Sequence, residues 1–552
     1  MRRIALGLLL SAALPASAFA VGTCPELAVV NARIRTMDPA LPQARALAVA
    51  GNRIVAVGAD ADIRALACAG TRIVDAGDKL LLPGFNDAHV HFMSGGEGRS
   101  AVDLRDAGSQ AEFARRIGAY AKSVPKGTWI TLGNWDHERW TPAALPTRQL
   151  IDALTPEHPV FVSRLDGHMA LANSLALKLA KIDRNTADVA GGEIVRDAAG
   201  EPTGVLKDDA MLPVFVAMPG KTLPEAIVIA QAASDYAASV GVTSVQDMNG
   251  EAGLPAYQEL LRSGWLKTRI YAVTPLPRWA EWRTVGVRAG FGDPMLRVGG
   301  LKGFSDGSLG STTAWFHKPY LDAPDSTGLA LEEFRSHDAN VSGADAAGLQ
   351  VMIHAIGDRA NDETLKVFER VAQAHGPRDR RFRIEHAQHL DPSLVRRFAG
   401  GQVIASMQPF HAIDDGRWAH KRLDDARLRG TYAFRSLLDA GALLAFGTDW
   451  EVATLDPMQG IYAAVTRRTL DGKHPDGWYP AEKLTVDEAV RAYTVGSAHA
   501  EFEEHRKGML KPGMLADFVL WSQDIWAVAP ERIGETRALL TVVDGRVVYE
   551  AQ

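Results

Sequence analysis

Two histidines near the start of the chain have the spacing of a metal-binding pair. An apolar segment runs from Leu80 through a Pro83-Gly84 break to His89 and His91. Since side chains two residues apart on a strand share a face, both imidazoles can reach one ion. A His-x-His pair alone is also common among ordinary surface and core histidines, so its interpretation depends on the residues that follow.

Four more residues with suitable chemistry stand on or just after later apolar segments. Imidazole and carboxylate groups bind zinc and other divalent metals. Active-site residues of α/β barrels lie at the carboxyl ends of successive strands, and these residues follow that order. The alternatives are structural histidines and, for the lysine, an ordinary buried ion pair. The four residues are Lys302, His354, His386 and Asp449.

The segments that position these residues alternate strand-like and helix-like patterns, which is typical of parallel βα units. Together with the strand before His89 they number eight, as an α/β fold of the (β/α)₈ TIM barrel type requires. The barrel is predicted over residues 83–506. The seven later strands are predicted at 241–247, 269–273, 301–304, 350–354, 382–386, 403–407 and 443–447.

Residues 93–221 are too long for one loop and are predicted to be an insertion after the first barrel strand. The insertion contains a predicted hairpin, 192–196 with 203–206. Without it about 295 residues remain, close to the ~250 typical of the fold. Thr222 and Glu225 then form a predicted capping box at the start of the next helix.

Both chain ends are rich in short strand-like segments. Gly51-Asn52 and Asp544-Gly545 are typical hairpin turns. We therefore expect a small discontinuous β-sandwich built from residues 21–82 and 507–552.

The N-terminus predicts export. Two arginines precede an apolar run over 4–14, and the small residues Ala18 and Ala20 suit cleavage, which predicts a signal peptide over 1–20. An apolar tail on a cytosolic protein is the alternative. A periplasmic or secreted chain would let Cys24 and Cys68 form a disulfide bond; two buried thiols are the alternative.

Composition limits the classes of binding partner that the protein is expected to have. The chain has 552 residues, 47% hydrophobic and 23% charged, with a net charge of −6. This charge gives no reason to expect nucleic acid or an anionic membrane as a partner. No apolar run after the signal peptide reaches the ~18 residues of a spanning helix. A small-molecule substrate is expected, and homo-oligomer formation stays open.

The motifs together resemble those of metal-dependent amidohydrolases, and more narrowly the amidohydrolase-3 branch that includes N-substituted formamide deformylases. The resemblance covers nearly the whole mature chain. It rests on Pro-Gly-Phe-x-Asp-x-His-x-His at 83–91, Leu-Lys-x-Phe-x-Asp-Gly-Ser-Leu at 301–309, His-Ala-Ile-Gly-Asp at 354–358, Glu-His at 385–386 and Phe-Gly-Thr-Asp at 446–449.

The resemblance implies a centre of one or two divalent ions, with zinc expected. Lys302 would bridge two ions after carbamylation, since a buried lysine gives up its proton readily. Asp449 would take a proton from water and pass it to the leaving amine. The implied ligands are His89, His91 and Asp449 for the more buried ion, and His354, His386 and Lys302 for the second.

The resulting function is hydrolysis of an amide-type or formamide-type C–N bond outside peptides. A deaminase, a lactonase or an esterase of the same fold is the first alternative, and a metal-free binding protein is the second. We expect Trp135, His168 and His411 to contact the substrate, although packing or structural roles suit them too. Trp418 is expected to form an apolar wall with Trp135, and His389 to be solvated.

Overall fold

The computed structural model describes residues 24–552, so the predicted signal peptide lies outside it. Its centre is a sheet of eight parallel strands that follow one another in chain order, with Phe291–Asp293 paired antiparallel to the fourth. Val90 forms a parallel bridge with Trp450 where the ring closes. The predicted α/β barrel is confirmed. Barrel strands one to eight are Phe85–Val90, Val242–Asp247, Arg269–Pro275, Leu296–Phe304, Gln350–Ala355, Arg383–His386, Ile404–Met407 and Leu444–Phe446.

Helices cover the barrel because their apolar faces pack on strands that are buried on both sides. In helix Asp358–His375, for example, Leu365 and Phe368 share a cluster with Val351 of barrel strand five. The predicted capping box at Thr222 is confirmed. The other helices around the barrel are Phe92–Gly98, Leu223–Ser239, Gly250–Ser263, Trp279–Thr284, His337–Ala346, Pro392–Gly401, Pro409–Asp415, Asp425–Leu428, Phe434–Asp439, Pro457–Thr466, Val486–Arg491 and Ser497–His499.

The segment between barrel strands one and two builds its own five-stranded sheet and apolar cluster. Its predicted hairpin is confirmed, because Gly192–Arg196 pairs antiparallel with Pro202–Asp208. The other strands are Met169–Ala172, Val160–Arg164 and Ile130–Trp135, and the helices are Gln110–Ala121, Ser174–Leu179 and Leu212–Ala217.

The chain ends form a four-stranded and a six-stranded sheet that share one apolar cluster, including Val29, Leu81 and Phe518. Both predicted hairpins are confirmed. The sandwich interpretation and the domain boundaries stay predictions. The first sheet holds Arg53–Gly58, Ala46–Ala50, Leu27–Val30 and Arg72–Asp75, with helix Asp60–Leu66 nearby; the second holds Arg546–Glu550, Ala538–Val543, Phe518–Trp521, Leu80–Pro83, Arg33–Arg35 and Gln43–Ala44.

The apolar segment before His89 is divided between the six-stranded sheet of the chain ends and the barrel. Leu80–Pro83 pairs within the six-stranded sheet, and Phe85 begins the barrel. Gly84 permits the passage, because a Cβ there would lie 2.1 Å from the Thr243 hydroxyl. Within residues 24–552, no helix is long and apolar enough to cross a membrane.

Candidate metal centre

Three side chains from different barrel strands meet at the carboxyl end of the barrel. His89 lies in strand one, His386 ends strand six and Asp449 follows strand eight, and one ligand atom of each lies within 4.8 Å of the others. His89 Nε2 is 3.5 Å from Asp449 Oδ1. Both atoms are buried and lack a hydrogen-bond partner. Because buried polar atoms are costly when unpaired, and these donors suit divalent metals, the residues fit a metal ion.

The other predicted ligands surround this group at different distances. His91 Nε2 lies 3.3 Å from Asp449 Oδ1. The ring of His354 is 4.6 Å from that of His386, but its Nε2 donates to the Gly307 carbonyl at 3.1 Å. Lys302 is buried, with Nζ 4.5 Å from the centroid of the Phe304 ring. His386 therefore joins the ligands implied for the more buried ion, a grouping that differs from the sequence-based assignment.

A buried carboxylate fixes the orientation of His89. His89 Nδ1 donates to Glu385 at 2.7 Å, which leaves Nε2 free for a metal. Arg383 donates to the same carboxylate at 2.8 Å. Burial alone would raise the pKa of Glu385, but the Arg383 charge and the His89 hydrogen bond hold it far below its usual range. Burial lowers the pKa of His89 to about 4, so its imidazole is neutral at pH 7.

Arg383 and Glu385 were not predicted as functional residues. The signal was present, because alternation along a strand places both on the face opposite to that of Ile384. A charged pair on an otherwise apolar strand that ends in a histidine indicates inward-facing polar groups. The partner of that pair, 296 residues away at His89, is not visible in the local pattern.

Asp87 holds the loop that carries Asp449. Its carboxylate accepts hydrogen bonds from the Thr448 amide at 2.9 Å and the Thr448 hydroxyl at 2.6 Å. Gly447 allows this contact, since a Cβ there would lie 2.5 Å from the His89 amide nitrogen. Asp449 and His386 have φ values of 57° and 73°. Such backbone conformations are costly for residues other than glycine, so the surrounding contacts must hold both residues in place.

The charge states suit a metal centre, because the lysine is more easily deprotonated than usual and the carboxylate stays ionised. Burial lowers the pKa of Lys302 to about 8, so more of its amine is neutral than in an ordinary lysine. Burial alone would raise the pKa of Asp449, but the nearby imidazoles of His89, His386 and His91 hold it well below its usual range.

A cleft above the centre is lined by the insertion and by the loops after the barrel strands. His168 and His411 both line it, as does Trp418. The His411 ring stacks on His386 at 6.4 Å, and its Nε2 is buried without a hydrogen-bond partner. The cleft residues include Arg164, Asp166, His168, Ser308, Leu309, Gln388, His411, Asp414, Asp415, Trp418 and Val452.

Two sequence-based placements are wrong. Trp135 does not line the cleft: it is fully buried in the apolar cluster of the insertion, and its indole donates to the Val162 carbonyl at 2.8 Å. His389 is not solvated, because its ring packs on Phe316 at 5.3 Å and its Nδ1 bonds the Thr431 hydroxyl at 2.8 Å. In both cases a distant segment covers a side chain that the local pattern left open.

Comparison with known proteins identifies the family. The model of the amidohydrolase family matches residues 72–549. The chain belongs to the amidohydrolase family. The predicted resemblance is confirmed, and the fold of this amidohydrolase has counterparts among solved structures.

The relatives differ in their named roles. Protein LONG AFTER FAR-RED 3 of Arabidopsis thaliana is 38% identical over 541 residues, covering 96% of this chain and 92% of that protein. N-substituted formamide deformylase of Arthrobacter pascens is 27% identical, with coverages of 95% and 98%. The crystal structure of a metal-dependent hydrolase from Pyrococcus horikoshii OT3 superposes with a TM-score of 0.74 at 28% identity, covering 91% of this chain and 99% of that one. This amidohydrolase thus has a metal-dependent hydrolase among its structural neighbours, and its own His89, His386 and Asp449 fit a metal ion.

Proposed function

We propose that this amidohydrolase cleaves a non-peptide C–N bond of the amide or formamide type in a small molecule. The observation that carries the proposal is the pair of buried, unpartnered atoms His89 Nε2 and Asp449 Oδ1 beside His386. The name of the Arthrobacter pascens relative supports the choice of bond.

The metal would be held by His89, His386 and Asp449, with the other predicted ligands adjacent. We expect zinc, in one or two ions, with Lys302 carbamylated where two are bound. When bound, a divalent ion lowers the pKa of water from 15.7 towards about 7 and polarises a carbonyl.

Side chains of the protein then transfer the proton from water to the leaving group. Asp449 is ionised and lies beside the unpaired Nε2 of His89, so its carboxylate can accept a proton from water and return it to the leaving nitrogen. Glu385 keeps His89 in one tautomer throughout. Leu309 and Trp418 contribute apolar surface to the lining of the cleft.

The test is a substrate panel with the purified enzyme, comprising N-substituted formamides, acylated amino acids, lactones and aminopurines. We expect turnover of formamides or other amides, loss of activity after chelation and its return with zinc. Turnover confined to lactones or esters would favour the lactonase alternative, and release of ammonia from aminopurines the deaminase. Less than about 0.2 equivalents of metal, with no gain on adding zinc, would favour a binding protein.

A further inference from the structure

A second imidazole–carboxylate pair, supplied by the insertion, lies beside the metal centre. His168 Nδ1 donates to Asp208 Oδ1 at 2.6 Å, and the two side chains are 16% and 1% exposed. The His168 ring lies 4.8 Å from the His354 ring. His168 lines the substrate cleft, so its exposed part faces the space where a substrate would lie.

A strained backbone conformation places the Asp208 carboxylate beside His168. Asp208 ends strand Pro202–Asp208 with φ 45° and ψ −125°. For a residue other than glycine this conformation is strained and persists only where the surroundings enforce it. Gly307, after barrel strand four, provides the space: a Cβ there would lie 2.8 Å from Asp208 Oδ1.

The loop that carries His168 is fastened to the barrel as well. Asp166 accepts hydrogen bonds from the Ser311 hydroxyl at 3.1 Å and from the His168 amide at 3.3 Å. The Asp208 amide also donates to the His168 carbonyl at 3.1 Å. His168 is therefore held between the insertion and the loop after barrel strand four, with little freedom to turn.

The pairing decides which nitrogen meets the substrate. An ionised carboxylate only accepts hydrogen bonds, so Asp208 fixes the proton on Nδ1 and leaves Nε2 directed away from it. The same arrangement, Glu385 with His89, presents an Nε2 atom to the metal centre. His168 differs in that it lines the substrate cleft.

We propose that Asp208 is a positioning residue that holds His168 Nε2 against the polar group at the scissile bond of the substrate. The identity of that bond rests on the proposed function, but the contact itself does not. His168 is the residue that touches substrate, and Asp208 acts through it. The insertion thus takes part in the reaction rather than only covering the barrel.

The experiment compares Asp208→Asn with wild type as the metal-loaded enzyme. We expect kcat/KM to fall at least about tenfold, as for other groups that orient active-site imidazoles, with metal content unchanged. Long-range ¹H–¹⁵N spectra of histidine-labelled protein, assigned with His168→Asn, should show a changed tautomer of His168. Asp208→Glu should restore part of the activity because it can accept the same hydrogen bond.

The matched control is His375→Asn. His375 Nδ1 makes an equivalent contact of 2.7 Å with Asp345 outside the cleft, so its loss should leave kcat/KM unchanged. The kinetics use whichever amide, ester or lactone of the panel is turned over, so a failure of the amide proposal leaves this test intact. If Asp208→Asn does not fold, His168→Asn takes its place in the kinetics.

Three outcomes would overturn the proposal. The first is a kcat/KM within about twofold of wild type in Asp208→Asn, or in His168→Asn where that variant replaces it. The second is an activity loss that follows metal loss in proportion. The third is an unchanged His168 imidazole spectrum in Asp208→Asn.

Discussion

At the scale of single residues, the metal centre depends on hydrogen bonds that leave selected atoms unpaired. Glu385 accepts the hydrogen bond of His89 Nδ1, and Asp87 accepts those of the Thr448 amide and hydroxyl. What remains unpaired is His89 Nε2 and Asp449 Oδ1, the two atoms directed at the candidate ion. Hydrogen bonds to neighbouring groups thus decide which atoms remain available to the ion.

The first prediction concerns Asp449. Asp449→Asn keeps the size of the side chain but cannot accept a proton, and a general base contributes typically about 10²- to 10⁴-fold. We expect kcat to fall at least about a hundredfold while the circular dichroism spectrum and the melting temperature stay near wild type. His386→Asn should instead act through metal loss and respond to excess zinc.

An exposed carboxylate is the control: Asp338→Asn, on the outer helix His337–Ala346, should leave kcat unchanged. An Asp449→Asn enzyme that retains more than about a tenth of wild-type kcat on a good substrate would remove Asp449 from the proton transfer.

The second prediction concerns Lys302. Burial lowers its pKa to about 8, which favours the neutral amine that carbamylation needs. Lys302→Ala should lose the second metal and most activity, and short carboxylic acids should partly restore both by replacing the carbamate. Metal analysis and turnover with and without added acid measure this. Two retained metals with near-normal turnover would make Lys302 a structural residue.

At the scale of elements, backbone hydrogen bonds join the residues at and just after the ends of barrel strands one and eight. The Asp449 amide donates to the His89 carbonyl at 2.7 Å, and the His91 amide donates to the Trp450 carbonyl at 2.6 Å. These hydrogen bonds flank the Val90–Trp450 bridge and close the ring of strands at this point. This closure places the first and last ligands of the chain side by side.

The third prediction concerns the N-terminal segment. Cys24 and Cys68 form a disulfide bond across 44 residues, which stabilises by roughly 3–4 kcal/mol on the chain-entropy model. We expect a lower free energy of unfolding after reduction or in the Cys24→Ser/Cys68→Ser protein. Oxidised protein, denatured without reductant, should titrate with no free thiol.

Two titrating thiols would contradict this bond. The double serine variant is its own control, since reductant should not change its stability further. Export to a periplasmic or extracellular space stays a prediction that the bond supports, because such bonds persist in oxidising compartments.

At the scale of the whole molecule, one buried ion pair joins the barrel to the sheet of the chain ends. Arg269 of barrel strand three donates to Asp517 at 2.7 and 2.9 Å, and to Asp544 at 3.0 Å. Arg269 and Asp517 are almost fully buried. Removing one partner of a buried pair leaves an uncompensated charge. Loss of this contact should therefore weaken the packing of the barrel against the chain-end sheet.

The fourth prediction is that Asp517→Asn lowers the free energy of unfolding by about 3–5 kcal/mol. The loss is smaller to the extent that Asp544 still pairs with Arg269. Burial alone would raise the pKa of Asp517, but the charge of Arg269 lowers it. A carboxyl whose folded pKa is below its unfolded value of about 3.9 stabilises the fold above that pH, and this contribution disappears as the pH falls through the folded pKa.

Urea unfolding between pH 2 and 7 measures both effects. The wild-type protein should lose stability on acidification below about pH 4, and Asp517→Asn should lose less over the same range. Glu550→Gln is the control, because it breaks only an exposed pair with Arg72 and should cost at most about 1 kcal/mol. Equal pH profiles for wild type and Asp517→Asn would show that Asp517 does not hold the interface.

Local sequence determined the features whose signals lie within a few residues of one another or recur along the chain. Buried parallel strands are rich in apolar and β-branched residues, so the eight strands and the candidate ligands at their ends were visible without a structure. The hairpin turns and the capping box were visible for the same reason, since their signals lie within a few residues. These short-range patterns were enough for the barrel, the candidate ligands and the family.

The tertiary structure decided everything that depends on partners far apart in the chain. It buried Trp135 and His389 under distant segments, grouped His386 with His89 and Asp449, and joined Asp208 to His168. The hydrogen-bond state of an imidazole is set by whichever carboxylate packs against it, and that carboxylate can come from any strand. Types and order of residues therefore predict which chemistry is available, whereas only packing fixes which atom of each residue is left free to perform it.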